Sequence, residues 1–282
     1  MGIKATTQIY GIFGHPVGHS LSPAMHNGAF GTLGIDSVYL AFDISPEKIG
    51  PAANAVRTLG IKGVNITIPH KESIIPYLDK ISPDARLMGA VNTVKNDDGI
   101  LSGYNTDVGG FLRALEEDLH ANPSGAKVLL LGAGGAARAV LSALCMNGAE
   151  SVYIANRTHD KALDLSAEFK KQFKDITIEP VALGDEKGIK DILSKADILV
   201  NSSSAGMGGK EAVELPLESL KKSAAVYDLV YRPRETRLVT EARRLGHRAS
   251  GGLSMLLYQG ALSFEIWTGQ EAPIRVMREA IG

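Results

Sequence analysis

The run Val128-Leu-Leu-Leu-Gly-Ala-Gly-Gly-Ala-Ala-Arg-Ala-Val140 constrains this chain more than any other stretch. Val128 to Leu131 are consecutive apolar residues, too few for a helix, and predict a strand buried on both faces. Gly132, Gly134 and Ala137 follow at the spacing of the small residues in a dinucleotide-binding turn. The first permits a tight turn, the second lets a pyrophosphate approach the backbone, and the third lets the helix pack against the strand. Phosphate oxygens would meet free N–H groups at the helix start, where the macrodipole favours negative charge. The candidate cofactor-binding backbone is therefore Gly132, Ala133, Gly134, Gly135 and Ala136.

From there the chain alternates strand and helix, with strands expected at 128–131, 151–155, 176–179, 197–200 and 225–230. That alternation predicts an α/β, doubly wound sheet. At the end of the second of these strands an NAD site usually places Asp or Glu on the ribose hydroxyl. Here stand Asn156, Arg157 and Thr158, with Lys161 one turn on. A carboxylate would repel a 2′-phosphate, whereas an amide, a guanidinium and a hydroxyl can hold one, so NADP is the better fit.

The first hundred residues read as a separate α/β domain. Ile9–Phe13 opens as a strand, and Ser22 before Pro23 signals a helix start, with Ser22 as the cap. Ser20 adds a second hydroxyl at that positive helix end, which suits a carboxylate ligand. In Val64-Asn-Ile-Thr-Ile-Pro-His-Lys71 the apolar residues alternate with Asn65 and Thr67, predicting a strand with one polar face. Pro69 suits a first helical turn, which would place Lys71 in it. Residues 90–94 and 100–104 predict a hairpin around Lys95-Asn-Asp-Asp-Gly99. Asp107 stands at the start of the next helix, adequately explained as a cap, with Lys71 its natural partner in any catalytic role. The apolar-rich helix from Leu253 to Trp267 reads as the chain crossing back to the first domain, carrying Gln259 with it.

Thirty Lys and Arg against 31 Asp and Glu argue against nucleic acid or an anionic membrane as the main partner. The single cysteine, Cys145, excludes an internal disulfide and a multi-cysteine zinc site, and reads as a buried small hydrophobe. His15, His19 and His26 lack metal-site spacing, so no metal is expected and loop structure is the safer account. With neither an apolar leader nor a spanning stretch, a cytoplasmic protein is expected.

Taken together, Ser20-Leu-Ser22-Pro23, Asn65-Ile-Thr67-Ile-Pro-His-Lys71, Ala90-Val-Asn92-Thr93, Gly103-Tyr-Asn-Thr-Asp107, Gly132-Ala-Gly-Gly-Ala136, Asn156-Arg157-Thr158, Asp228-Leu-Val-Tyr231 and Tyr258-Gln259-Gly260 resemble the shikimate dehydrogenase family over nearly the whole chain. The resemblance implies a mixed-sheet substrate domain at 1–106, a Rossmann-like NADP domain at 107–250, and C-terminal helices at 251–282 returning to the first. It implies reversible, NADPH-dependent reduction of 3-dehydroshikimate to shikimate, by a monomer or homodimer. Lys71 and Asp107 would be catalytic; Ser20, Ser22, Asn65, Thr67, Asn92, Tyr231 and Gln259 would bind substrate; Leu229 and Gly252 would join the cofactor site. Departures are modest: Lys161 stands where arginine is common, and His70, Leu229 and Arg237 replace a frequent aromatic, Met and Pro. A quinate/shikimate dehydrogenase is the nearer rival, disfavoured by the two serines and by the absence of an acid at 156 or 157. A catalytically silent NADP-sensing module is the remoter one, and would be expected to lose Lys71 or Asp107.

Overall fold

The computed structural model describes residues 2–209 and 211–282. The chain divides into two compact units, Met1–Gly110 with Leu257–Gly282, and Phe111–Leu256. The first unit contains strands β1 (Gln8–Gly14), β2 (Ser37–Asp43), β3 (Gly63–Ile66), β4 (Lys80–Ile81), β5 (Thr93–Asp97) and β6 (Ile100–Tyr104). The second contains β7 (Lys127–Leu131), β8 (Ser151–Asn156), β9 (Thr177–Ala182), β10 (Ile198–Asn201), β11 (Ala225–Asp228) and β12 (Arg248–Gly251). The helices are α1 (Ser22–Leu33), α2 (Ile49–Thr58), α3 (Pro83–Met88), α4 (Asp107–Leu119) and α5 (Gly135–Met146). They continue as α6 (His159–Gln172), α7 (Glu186–Leu193), α8 (Arg237–Arg244), α9 (Leu253–Thr268) and α10 (Ile274–Ile281). None of them is long and apolar enough to cross a membrane.

In the first unit the strand order is β2-β1-β3-β5-β6-β4. β1 runs parallel to β2 and β3, while β5 runs antiparallel to β3 and β6, so the sheet is mixed. The hairpin strand β5 begins at Thr93, three residues later than the sequence suggests. Asp98 and Gly99 both take positive φ, 49° and 95°, and form a two-residue turn that pairs Asp97 with Ile100. No helix begins at Pro69. Residues 71–74 form a turn, a 3-10 turn follows at Ile75–Tyr77, and Pro76 denies it the N–H that a longer helix needs. Ser22 is not the cap of α1 but its first residue; the Ser20 hydroxyl accepts the Ser22 N–H at 3.2 Å. His26 lies inside α1, fully buried and stacked on Tyr39, and not in a loop.

The second unit has strand order β12-β11-β10-β7-β8-β9, parallel throughout. This is the doubly wound Rossmann order, whose direction reverses between β7 and β10. Val128, Leu129, Leu130 and Leu131 are at most 1 % exposed, which is the two-sided burial that their apolar run requires. Proline occurs in β9, an edge strand, where a missing N–H is tolerated. β12, with sequence Arg-Ala-Ser-Gly, carries no strand pattern and is formed by pairing with β11 alone. Cys145 is buried in α5, and desolvation pushes its thiol up to about 12.

Candidate active site

In the first unit the turn after β3 carries Lys71, and its ammonium donates to Asp107 Oδ2 at 2.6 Å. The lysine side chain is 33 % exposed and the aspartate 13 %, so the pair is held in the protein but reachable from solvent. Asp107 opens α4, where the helix dipole favours its charge. Its other oxygen, Oδ1, accepts from Asn92 Nδ2 at 2.9 Å, and its N–H donates to Asn105 Oδ1 at 3.0 Å. One carboxylate oxygen is thereby anchored and the other is presented to the ammonium.

Asn92 is gripped in turn. Its Oδ1 accepts the Thr106 N–H at 2.8 Å and the Thr93 hydroxyl at 3.0 Å. Behind it, Thr93 Oγ1 and Ser263 Oγ are 2.7 Å apart. Asn65 Nδ2 donates to Ser263 Oγ at 3.0 Å and approaches Thr93 Oγ1 and the Asn92 carbonyl, each at 3.2 Å. Asn65 Oδ1 accepts from Tyr39 Oη at 2.6 Å. Burial holds the Tyr39 phenol well above its usual range, so it remains a neutral donor. A continuous run of hydrogen-bonded side chains thus links Tyr39 to Lys71. Mutual pairing of this kind is what lets so many polar groups be buried together.

Gln259 joins the same unit through α9. A Cβ at Gly110, in the first turns of α4, would lie 2.8 Å from the Gln259 backbone nitrogen, so glycine there lets the two helices meet. The Gln259 carbonyl also accepts from Ser263 Oγ at 2.9 Å. Thr67 follows β3 and is partly exposed, as is Ser20 before α1. Tyr39, Thr106 and Ser263 are not candidate site residues in the sequence, and Thr93 enters there only as part of a motif. Thr93 and Thr106 adjoin residues that are, and Ser263 falls one helical turn after Gln259; only that adjacency could have flagged them.

In the second unit the turn between β7 and α5 fits a pyrophosphate. Gly132 has φ 106°, and a Cβ there would lie 2.8 Å from Ser202 Oγ. Gly134 and Gly135 face open space where their Cβ atoms would project, and Gly134, Gly135 and Ala136 are exposed. Ala137 beneath them is fully buried. At the end of β8, Asn156 Nδ2 donates to the Thr158 carbonyl at 2.7 Å and shapes the bend. Arg157, Thr158 and Lys161 are exposed, and no carboxylate among the described residues pairs with either cation. Leu229 and Tyr231 lie on the loop after β11, and Gly252 packs on the Leu229 carbonyl where no side chain would fit. Among the described residues no group of three His, Cys, Asp or Glu could hold a metal.

Three family models match the chain. One described as the shikimate dehydrogenase substrate binding domain covers residues 12–94, and one described as shikimate / quinate 5-dehydrogenase covers 114–237. A third, the shikimate 5'-dehydrogenase C-terminal domain, covers 252–281. The chain is 48 % identical to shikimate dehydrogenase (NADP(+)) of Methanopyrus kandleri, across 100 % of this chain and 97 % of that protein. It belongs to the shikimate dehydrogenase family. Solved structures of the family agree. Shikimate 5-dehydrogenase from Listeria monocytogenes, in complex with shikimate and NAD, gives a TM-score of 0.93 at 36 % identity, covering 99 % of this chain and 98 % of that one. The Thermus thermophilus enzyme, in complex with NADP(H) and shikimate, gives 0.86 at 41 % identity, covering 98 % of each.

Proposed function

We propose that this member of the shikimate dehydrogenase family catalyses the reversible, NADP-dependent reduction of 3-dehydroshikimate to shikimate, a step in chorismate and aromatic amino-acid biosynthesis. The observation that carries the reading is the Lys71–Asp107 pair at 2.6 Å, with Asp107 pinned by Asn92. In this reading the first unit, with the returning C-terminal helices, takes the substrate and the second takes NADP.

When bound, NADPH supplies the hydride that adds to the substrate carbonyl carbon. Negative charge then grows on the carbonyl oxygen, and the Lys71 ammonium is the group suited to stabilise it. The Lys71–Asp107 pair supplies the proton and, in the reverse direction, takes it from the hydroxyl. Ser20 and Ser22 hold the substrate carboxylate at the positive end of α1, whose first turn contains no acidic residue. Thr67, Asn92 and Gln259 address the ring hydroxyls, and the family resemblance adds Tyr231. Asn65 joins them by the family resemblance; its amide, like that of Asn92, is engaged on both ends within the fold and so also holds these neighbours in place.

On the second unit the backbone of Gly132, Ala133, Gly134, Gly135 and Ala136 receives the pyrophosphate. Arg157 clamps the 2′-phosphate with help from Asn156, Thr158 and Lys161, while Leu229 and Gly252 complete the cofactor site. The test is an assay of purified protein with shikimate and quinate, each with NADP+ and NAD+. Shikimate with NADP+ is expected to exceed every other combination by about tenfold or more in kcat/KM, the size of one lost charge-assisted contact. Equal turnover of quinate, or equal use of NAD+, would replace this reading with a quinate/shikimate dehydrogenase.

A further inference from the structure

Asp228 ends β11 in the second unit, is 1 % exposed, and takes no part in the acid–base chemistry assigned to Lys71 and Asp107. Desolvation raises its carboxyl above the usual range, yet three donors converge on it. Its Oδ1 accepts from Asn201 Nδ2 at 2.9 Å and from the Val230 N–H at 3.0 Å. Its Oδ2 accepts from Thr236 Oγ1 at 2.6 Å. The donors belong to the end of β10, the loop after β11 and the residue preceding α8.

Each donor passes the constraint on. Asn201 Oδ1 accepts the Ser203 N–H at 3.1 Å and the Ser203 hydroxyl at 2.7 Å, which fixes the loop after β10. In that loop Ser202 Oγ donates to the Leu131 carbonyl at 2.7 Å and lies against Gly132 of the phosphate turn. On the other side the Val230 carbonyl accepts the Gly252 N–H at 3.2 Å, and Gly252 packs on Leu229. Thr236 caps α8 by accepting the Val239 N–H at 3.3 Å. One buried carboxylate therefore ties together the loops after β7, β10 and β11 and the start of α9. These lie at the carboxyl ends of parallel strands, where open α/β sheets take their ligands.

We propose that Asp228 is a positioning residue of the cofactor site, holding the loops at 201–205 and 229–236 in register with the phosphate turn. This rests on the NADP reading above. Asp228→Ala removes both acceptor oxygens and with them all three hydrogen bonds. Asp228→Asn keeps the Oδ1 acceptor and offers in place of Oδ2 an N–H that the Thr236 hydroxyl can accept. The measurement is the NADP+ dissociation constant by calorimetry at 25 °C, with the rise in melting temperature at saturating NADP+ as a second readout.

Asp228→Ala is expected to weaken NADP+ about tenfold, the loss of roughly one buried hydrogen bond's worth of positioning, and to shrink the ligand-induced rise. Asp228→Asn should stay within about twofold of the unsubstituted chain, because its hydrogen bonds are conserved. If Asp228→Ala does not fold, Asn201→Ala carries the test, with an expected weakening of about fivefold. A folded Asp228→Ala or Asn201→Ala that binds NADP+ normally would overturn the proposal, as would an Asp228→Asn as weak as Asp228→Ala. Failure of the unsubstituted chain to bind NADP+ would instead remove the cofactor assignment itself.

Discussion

The two units use opposite means to present chemistry. In the first, the candidate catalytic residues sit at one end of a buried polar network, and Asn65, Asn92, Thr93, Thr106 and Ser263 are each at most 5 % exposed. In the second, the candidate cofactor residues Gly134, Gly135, Ala136, Arg157, Thr158 and Lys161 are exposed, on the turn into α5, the bend after β8 and the first turn of α6, beyond strands such as β7 and β10 whose middle residues are all apolar. The difference teaches where substitutions hurt. A change in the first unit disturbs groups that hold one another, so catalysis and stability fall together. A change on the exposed loops of the second removes a contact with the ligand and leaves the fold alone.

The sharpest way to break that contrast is Lys71→Met. Turnover should fall by about a thousandfold, the range lost with a positioned proton donor, while NADP+ affinity measured by calorimetry stays unchanged. Near-normal kcat in that variant would remove the catalytic role.

Acid should act on the first unit ahead of the second. His26 is fully buried, both ring nitrogens lack a hydrogen-bond partner among the described residues, and desolvation lowers its pKa to about 3. Unfolded, the ring titrates near 6.5, so below that pH the unfolded chain takes up a proton that the folded chain refuses. The His26 contribution is therefore complete above pH 6.5 and shrinks as pH falls, by about 2 kcal/mol at pH 5. Denaturant unfolding at pH 7 and pH 5 should show this loss, and His26→Phe should flatten it; an unchanged slope would contradict the assignment.

Smaller effects belong to the second unit. Arg157→Ala should raise KM for NADP+ about tenfold, leave kcat and the melting temperature near their starting values, and leave KM for NAD+ unaltered. A parallel rise for NAD+ would mean that the guanidinium does not read the 2′-phosphate. Lys161→Arg should tighten NADP+ by about two- to threefold, since a planar fork can make two hydrogen bonds where an ammonium acts as a point charge. Weaker binding by Lys161→Arg would place the 2′-phosphate elsewhere.

How far the sequence could be read follows the same division. The strand of β7, the glycine turn and the start of α5 are contiguous, and contiguous pattern is what periodicity detects. β4, only Lys80–Ile81, and β12, Arg-Ala-Ser-Gly, carry no such pattern, because their pairing comes from a neighbouring strand. The helix expected at Pro69 fails locally, since Pro76 cuts it to a turn. Lys71 and Asp107 could be named as partners, but their 2.6 Å contact could not be read from spacing.

The amino-acid order by itself determined the alternating elements, the phosphate turn, the want of an acid at the end of β8, and the residue types available for proton transfer. Tertiary structure alone decided which of those side chains touch: Ser263 meets Asn65 across 198 positions of chain, and Tyr39 meets Asn65 across 26. The reason is range. Backbone preferences act over a few neighbours, whereas a buried hydroxyl or amide must find its partner wherever packing brings one.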